Sequence, residues 1–225
     1  MTRVGIYGGT FDPVHFGHLV PALRALETFV FDRVVFVPAA RPPHKAGQHL
    51  TPFPHRFAML ALATQGYDRF FVSDRELAGT GPTFTVDTLR RFRDEFRGSD
   101  LYFLLGSDSF SQIATWYRWQ ELADEAHLVV LHRDTAWGEP LRQRVPPVLH
   151  SRLRRVEPFV PVPDPTPGER LIYLLDHEPF PISSSQLRAR QGMGMTIGEL
   201  VPPEVHRYLM KYRLYGHGEQ GCHES

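Results

Sequence analysis

The chain has 225 residues, 42 % of them hydrophobic, which is enough to bury a sizeable core in one main domain. Its 25 basic and 25 acidic residues cancel to a formal net charge of zero, which argues against the basic field of a general nucleic-acid binder and favours a small-molecule partner. The single cysteine, Cys222, excludes a disulfide framework within the chain, and neither a membrane-length apolar run of about 18 residues nor a secretion signal is present, so we expect a cytoplasmic protein with no membrane partner.

Six short apolar or β-branched segments predict buried strands, at residues 4–7, 34–37, 70–72, 101–105, 128–131 and 171–175. Two sets of apolar residues recur at intervals of three and four and predict helices with one apolar face. They are Leu19, Leu23, Leu26 and Val30, and then Val86, Leu89, Phe92 and Phe96. The alternation of strands and helices predicts an α/β protein whose doubly wound, mostly parallel sheet carries helices on both faces.

The last third of the chain is less regular. Ten of the twenty prolines lie in residues 140–181, so we expect an irregular excursion there before the chain re-enters the sheet near Leu171. A final helix is predicted by Pro203 in its first turn, by an apolar side of Val205, Leu209 and Tyr212, and by Gly216 just past its end. We expect residues 1–215 to form a single domain and the polar residues 216–225 to form a disordered tail.

Two loops follow strands that a doubly wound sheet places side by side. Residues 8–17 follow the first strand, and GSDS at residues 106–109 follows the fourth. Ligands of open parallel sheets gather beyond the carboxyl ends of the strands where the winding reverses, between strands one and four in the common order. The sequence therefore predicts a ligand site formed by these two loops.

The first of these loops, GGTFDPVHFGH, combines bare backbone with two imidazoles. Gly8 and Gly9 allow backbone N–H groups to approach a bulky anion such as a phosphate, and Thr10 adds a hydroxyl donor. His15 and His18 lie one helical turn apart, so both rings are expected to point the same way and to donate hydrogen bonds to an anion. A tight turn that merely needs glycine is the alternative for the glycine pair. A metal site is one alternative for the histidines, although no nearby cysteine or third histidine completes a zinc set and a distant carboxylate would have to do so. The other alternative is that one histidine caps the helix and the other packs in the core.

The string GGTFDPVHFGHL resembles the (H/T)xGH signature of the nucleotidylyltransferase superfamily. Further motifs follow in order: PPHK at residues 42–45, PTFT at 82–85, GSDSF at 106–110, TWY at 115–117 and ISSSQLR at 182–188. The ordered set resembles the bacterial nicotinate-nucleotide adenylyltransferases, up to about residue 216.

This resemblance implies a Rossmann-like nucleotidylyltransferase fold and an enzyme of NAD biosynthesis. ATP and nicotinate mononucleotide would give deamido-NAD and pyrophosphate by direct in-line attack, without a covalent enzyme intermediate. The enzyme would then supply position and charge stabilisation. Mg²⁺ is expected to arrive with ATP rather than in a metal site of the protein. The oligomeric state stays open, a homo-oligomer included.

The resemblance also implies roles for individual residues. The catalytic group is His15, His18, Lys45 and Arg188. The ATP-binding group is Gly8, Gly9, Thr10, Phe11, His15, His18, Asp108, Ser183, Ser185 and Arg188. The group for nicotinate mononucleotide is Lys45, Thr83, Phe84, Thr85, Trp116 and Tyr117.

Simpler structural roles compete with several of these assignments. Ser183 and Ser185 suit ordinary helix capping, Asp108 suits a turn cap, and Lys45 suits a solvated loop. Trp116, like Trp119, suits the core side of a short helix. Asp12 precedes a proline and is expected to shape the loop, without a metal role. Phe84 stands where family members often have tyrosine, so any contact made by that phenol is missing here.

Three other classes of function remain as alternatives. Phosphopantetheine adenylyltransferase shares the fold, ATP and the HxGH motif, but PPHK and TWY are not expected in it; cytidylyltransferases are a more distant option. A non-catalytic nucleotide-binding protein would keep the site without turnover. A metal-binding module is the third possibility.

Overall fold

The computed structural model describes residues 2–43, 47, 49–79, 81–132, 139–176, 178, 180 and 182–216. Seven strands form one sheet: β1 (Arg3–Gly9), β2 (Arg33–Pro38), β3 (Phe70–Val72), β4 (Asp100–Gly106), β5 (His127–Leu131), β6 (Leu153–Val156) and β7 (Ile172–Leu175). Their order is β3-β2-β1-β4-β5-β7-β6, and every neighbouring pair is parallel. The predicted α/β class with a doubly wound sheet is confirmed.

The helices are α1 (Phe16–Thr28), α2 (Phe53–Thr64), α3 (Thr85–Glu95), α4 (Ser107–Phe110), α5 (Trp119–Glu125), α6 (Glu139–Arg144), α7 (Ser184–Gly192) and α8 (Pro203–Lys211). Short 3₁₀ turns lie at Arg75–Ala78, Ile113–Thr115 and Pro147–Arg152. In the part of the chain that the structure describes, none of the helices combines the length and the apolar character needed to cross a membrane.

Two apolar cores lie on opposite faces of the sheet. On β4, Tyr102 and Leu104 point into one core, whereas Leu101, Phe103 and Leu105 point into the other. Helices α1, α2, α7 and α8 cover the first face, and α3, α5 and α6 cover the second. Because successive strand residues point to opposite faces, strands buried on both sides need the continuous apolar runs seen in the sequence.

The predicted apolar face of the first helix was wrong at Val30. Helix α1 ends at Thr28, and Val30 lies beyond it with φ 50° and 54 % of its surface exposed. The N–H of Val30 donates to the Glu27 carbonyl and that of Phe31 to the Leu26 carbonyl. This bonding pattern ends a helix with a left-handed residue, usually glycine, and here Val30 occupies that position.

Two expectations for the last third of the chain also need correction. The proline-rich stretch is not wholly irregular, because it contains α6, a 3₁₀ turn and β6, which extends the sheet beyond β7. The sequence of β6, LRRV, has two exposed arginines, as suits an edge strand, and so lacks the apolar run of a buried one. Tyr212 does not share the buried side of α8, since it is 47 % exposed while Val205 and Leu209 are fully buried. The predicted tail falls almost entirely on residues 217–225, outside the described residues.

Candidate active site

The winding of the sheet reverses at β1, which lies between β2 and β4. Pairing with β4 ends at Tyr7 opposite Leu104, whereas pairing with β2 continues to Gly9 opposite Pro38. The two strands therefore separate at their carboxyl ends, where the first loop and α4 begin. This is the predicted location of the ligand site.

Gly8 and Gly9 are still part of β1, and packing explains why both lack a side chain. A Cβ at Gly8 would lie 2.9 Å from Cε2 of Phe103, and one at Gly9 would lie 2.9 Å from Cζ of Phe11. The glycines thus let two aromatic rings lie directly against the backbone. Phe103 also meets Trp116 edge-on, with the ring centroids 6.4 Å apart, so its ring lies between the first loop and the TWY segment.

His15 and His18 form a close pair at the start of α1. Their ring centroids are 3.9 Å apart, and the His15 N–H donates to Nδ1 of His18 at 3.3 Å. Since Nδ1 of His18 accepts a bond, the proton of its neutral ring is assigned to Nε2, which is then a donor. Gly17 makes room for this arrangement, because a Cβ there would lie 2.8 Å from Nδ1 and Cε1 of His15.

The rings are less exposed than the sequence led us to expect. His15 is 0 % exposed and His18 only 6 %. Phe11, in a left-handed conformation with φ 51°, turns its buried ring inward, 5.0 Å from the ring of His18. The pairing is therefore present, but the imidazoles lie within the wall of the site, and Phe11 offers a ligand its backbone rather than its ring.

A buried polar network that the sequence did not single out holds the same loop. Asp12, 1 % exposed, accepts hydrogen bonds from the Thr51 N–H at 3.2 Å and from the Tyr215 hydroxyl. Arg56, also 1 % exposed, donates from Nε to the Thr51 carbonyl at 2.8 Å and from Nη1 to the Thr10 carbonyl at 2.9 Å. Arg56 stands in the largely apolar helix α2, and a lone arginine there was the signal available in the sequence.

The negative charge of Asp12 partly offsets the unfavourable burial of the positive charge of Arg56. Burial lowers the pKa of Arg56, and the nearby Asp12 carboxylate raises it again. Burial raises the pKa of Tyr215, and the charge of Asp12 adds to that effect. Tyr215 therefore keeps its proton and acts as the donor to Asp12.

Helix α7 docks its first turn on the same loop. Arg188 donates from Nη1 to the Asp12 carbonyl at 2.7 Å and from Nη2 to Oγ of Ser185 at 3.3 Å. Ser184 donates to the Pro13 carbonyl at 3.0 Å. Ser183 caps the helix, because its Oγ accepts from the Gln186 N–H at 3.2 Å. Arg188 thus contacts the first loop and also binds Ser185, Ser183 fits the capping alternative, and the sequence did not single out Ser184.

A second group of predicted residues assembles beside α3. The ring of Phe84 lies 4.3 Å from that of Tyr117, so the PTFT and TWY motifs meet. The Thr83 N–H donates to the Arg41 carbonyl at 3.2 Å, and the Arg41 N–H donates to Oγ1 of Thr83 at 3.3 Å. Thr85 is the first residue of α3. Tyr117 is 51 % exposed and available for a ligand.

Other predicted residues divide between surface, core and the undescribed part of the chain. Trp116 and Trp119 are half-buried against the core on the α3 face, as the core alternative expected. Asp108 is exposed on α4, at the carboxyl end of β4. Lys45 lies outside the described residues.

A cavity of about 710 Å³ lies elsewhere, between the β2–β3 edge of the sheet and α3. It is lined by Phe71, by Phe96 and by three arginines, Arg33, Arg75 and Arg91, and includes none of the predicted site residues. The candidate active site lies instead at the carboxyl ends of β1 and β4, away from this cavity. Within the described residues, no three His, Cys, Asp or Glu side chains are grouped so as to hold a metal ion.

The chain is similar to known proteins over nearly its whole length. Residues 6–190 match the family described as cytidylyltransferase-like. A probable nicotinate-nucleotide adenylyltransferase of Geobacter sulfurreducens is 37 % identical over 222 residues, covering 96 % of this chain and 99 % of that protein. One of Thermomicrobium roseum is 38 % identical, covering 96 % and 92 % of the two chains.

Among solved structures, the nicotinic acid mononucleotide adenylyltransferase of Plasmodium falciparum complexed with NaAD superposes with a TM-score of 0.72. The match covers 96 % of this chain and 98 % of that one at 22 % identity. At that level of identity the likeness supports the fold alone.

Proposed function

The chain belongs to the nicotinate-nucleotide adenylyltransferases of the cytidylyltransferase-like family, and from that premise we propose that it transfers the adenylyl group of ATP to nicotinate mononucleotide. The products are deamido-NAD and pyrophosphate. The observation that carries the proposal in this chain is the junction of the first loop with α7. There, Arg188 and Ser184 bind the carbonyls of Asp12 and Pro13, beside the His15–His18 pair.

The reaction needs no nucleophile from the protein. An oxygen of the 5'-phosphate of nicotinate mononucleotide forms a bond to the α-phosphorus of ATP, and the bond from that phosphorus to the bridging oxygen breaks, releasing pyrophosphate. Catalysis then consists of holding the two nucleotides in line and stabilising charge on the phosphoryl oxygens. Arg188 and Lys45 supply positive charge in this proposal, and Nε2–H of His18 supplies a directed donor.

His18 is only 6 % exposed, so in this proposal a small part of its ring meets the triphosphate. The N-termini of α1 and α7 add favourable dipoles for the phosphates. Mg²⁺ accompanies ATP in this proposal and neutralises phosphate charge. Its ligands in this proposal are phosphate oxygens and water.

In this proposal nicotinate mononucleotide binds to the PTFT and TWY residues beside α3. Trp116 and Tyr117 offer aromatic faces for the pyridine ring, while Thr85 and the N–H groups at the start of α3 suit its carboxylate. Phe84 lies against Tyr117, and because Tyr117 is 51 % exposed, part of its ring is left for the ligand in this proposal. Asp108 is placed to accept bonds from ribose hydroxyls. The same proposal includes a single domain over residues 1–215 and a cytoplasmic location.

A substrate comparison tests the proposal. Pyrophosphate release is measured with Mg²⁺, ATP and, in separate reactions, nicotinate mononucleotide, nicotinamide mononucleotide or phosphopantetheine. We expect the highest kcat/KM with nicotinate mononucleotide. Equal or faster turnover of either other acceptor contradicts the substrate assignment, and no turnover of any acceptor contradicts the enzymatic function.

The role of His18 is tested with His18→Asn and His18→Ala. Asn keeps an acceptor for the His15 N–H but lacks the Nε2 donor, so it separates loop structure from charge stabilisation. We expect both variants to lose about a hundredfold in kcat, the effect of removing one preorganised donor. Urea unfolding serves as the control for stability. Undiminished kcat in a folded His18→Asn variant removes the proposed role of that imidazole.

A further inference from the structure

We propose that Tyr215, in the segment after α8, is a positioning residue that holds the active-site loop through Asp12. The inference rests on the proposed function for its catalytic consequence, whereas the contact itself is structural. The hydroxyl of Tyr215 donates to Oδ1 of Asp12, which lies 203 positions earlier in the chain. The end of the described chain thus reaches back to the loop that follows the first strand.

The segment that carries Tyr215 is itself anchored. Leu214 is 5 % exposed, and its N–H donates to the Leu209 carbonyl of α8 at 3.0 Å. Tyr215 itself adopts a left-handed conformation with φ 64°, which is unfavourable for a residue with a side chain. The hydrogen bond to Asp12 is one of the contacts that hold it there.

Asp12 is the residue through which several parts of the chain are hydrogen-bonded to the loop that follows β1. Its carboxylate accepts from Tyr215 and from the Thr51 N–H, and its carbonyl accepts from Arg188. Since Asp12 is 1 % exposed, a lost partner is not readily replaced by bulk water. Removing the Tyr215 hydroxyl therefore loosens a residue that lies three positions before His15 and directly binds Arg188.

The chain offers a matched control for this hydroxyl. Tyr208, on α8, bonds to Nδ1 of His55 at 2.9 Å and so links the same C-terminal region to α2 without touching the loop. Tyr208→Phe and Tyr215→Phe each remove one phenolic oxygen. Only the second removes a bond to Asp12.

The first experiment measures steady-state kinetics with nicotinate mononucleotide in the wild type and in both phenylalanine variants. We expect Tyr215→Phe to lose about tenfold in kcat/KM for ATP, the cost of one bond to a charged group, while Tyr208→Phe stays within about twofold of wild type. Asp12→Ala, which leaves no side-chain oxygen for Tyr215 to bind, and the double variant complete a cycle. If Tyr215 acts through Asp12, the double variant is no slower than Asp12→Ala alone. Wild-type kinetics in Tyr215→Phe, or losses that multiply in the double variant, overturn the proposal.

The second experiment does not depend on activity. Hydrogen exchange of a peptide spanning residues 8–18 is expected to be about tenfold faster in Tyr215→Phe than in wild type and unchanged in Tyr208→Phe. If wild type does not use nicotinate mononucleotide, the proposed function fails, and this measurement still decides whether Tyr215 holds the loop. If Tyr215→Phe does not fold, Asp12→Ala removes the same contact from the loop side, because alanine has no side-chain oxygen to accept from Tyr215. Wild-type exchange and kinetics in a folded Asp12→Ala variant overturn the proposal.

Discussion

Acidification is expected to destabilise this protein through one buried histidine at the opposite, amino end of the sheet. His127 begins β5 and is 0 % exposed. Its Nδ1 accepts from the Leu171 N–H at 3.0 Å, and its ring stacks on Tyr102 with 4.7 Å between centroids. Nε2 has no hydrogen-bond partner among the described residues. Burial, with smaller contributions from the charges of Arg170 and Arg3, lowers the pKa of His127 from 6.5 to about 4.

The size and sign of the effect follow from this pKa. Above about pH 6.5 the ring is neutral in both the folded and the unfolded chain, so it makes no pH-dependent contribution. Between about pH 6.5 and about pH 4 the His127 ring binds a proton in the unfolded chain but not in the folded one, so the free energy of unfolding falls as the pH falls. At about 1.4 kcal/mol for each pH unit of separation, the full effect is roughly 3 kcal/mol, of which about 2 kcal/mol is lost by pH 5.

The assay compares urea unfolding of wild type and His127→Asn at pH 7 and at pH 5. Asn offers an acceptor to the Leu171 N–H but does not titrate, and the carboxylates common to both proteins cancel in the comparison. We expect wild type to lose about 2 kcal/mol more than the variant between the two pH values. The same loss in both proteins, to within about 0.5 kcal/mol, would refute the argument that His127 is held neutral by burial.

Two stability predictions concern backbone positions. Val30→Gly is expected to raise the free energy of unfolding by about 1 kcal/mol, because glycine takes the left-handed conformation at φ 50° without steric cost, and a lower urea midpoint would contradict this. Gly8→Ala is expected to destabilise the fold by about 1 to 3 kcal/mol, since the new Cβ would meet the ring of Phe103 at 2.9 Å. Gly66→Ala is its control, because a Cβ there meets nothing within 4 Å, and equal stability of the two alanine variants would show that the clash is relieved at no cost.

The structure also shows why local motifs were informative about the site but incomplete. The histidine pair, the glycines and Arg188 stand in contiguous strings, so their types and spacing were visible in the sequence. Their degree of burial was not, because it depends on how the Phe11 ring turns inward against His18. Spacing alone likewise did not distinguish the serines of α7, of which one caps the helix and the next binds the first loop.

The sequence by itself determined the α/β class, six of the seven strands and the family, because buried parallel strands require continuous apolar runs and the motifs lie in short segments. Only the tertiary structure decided that LRRV joins the sheet as its edge strand, and that Arg56 and Tyr215 hold the loop around Asp12. An edge strand needs no apolar run. A hydrogen bond between residues 203 positions apart exists only once α2, α8 and the sheet have packed together, and no local pattern encodes that docking.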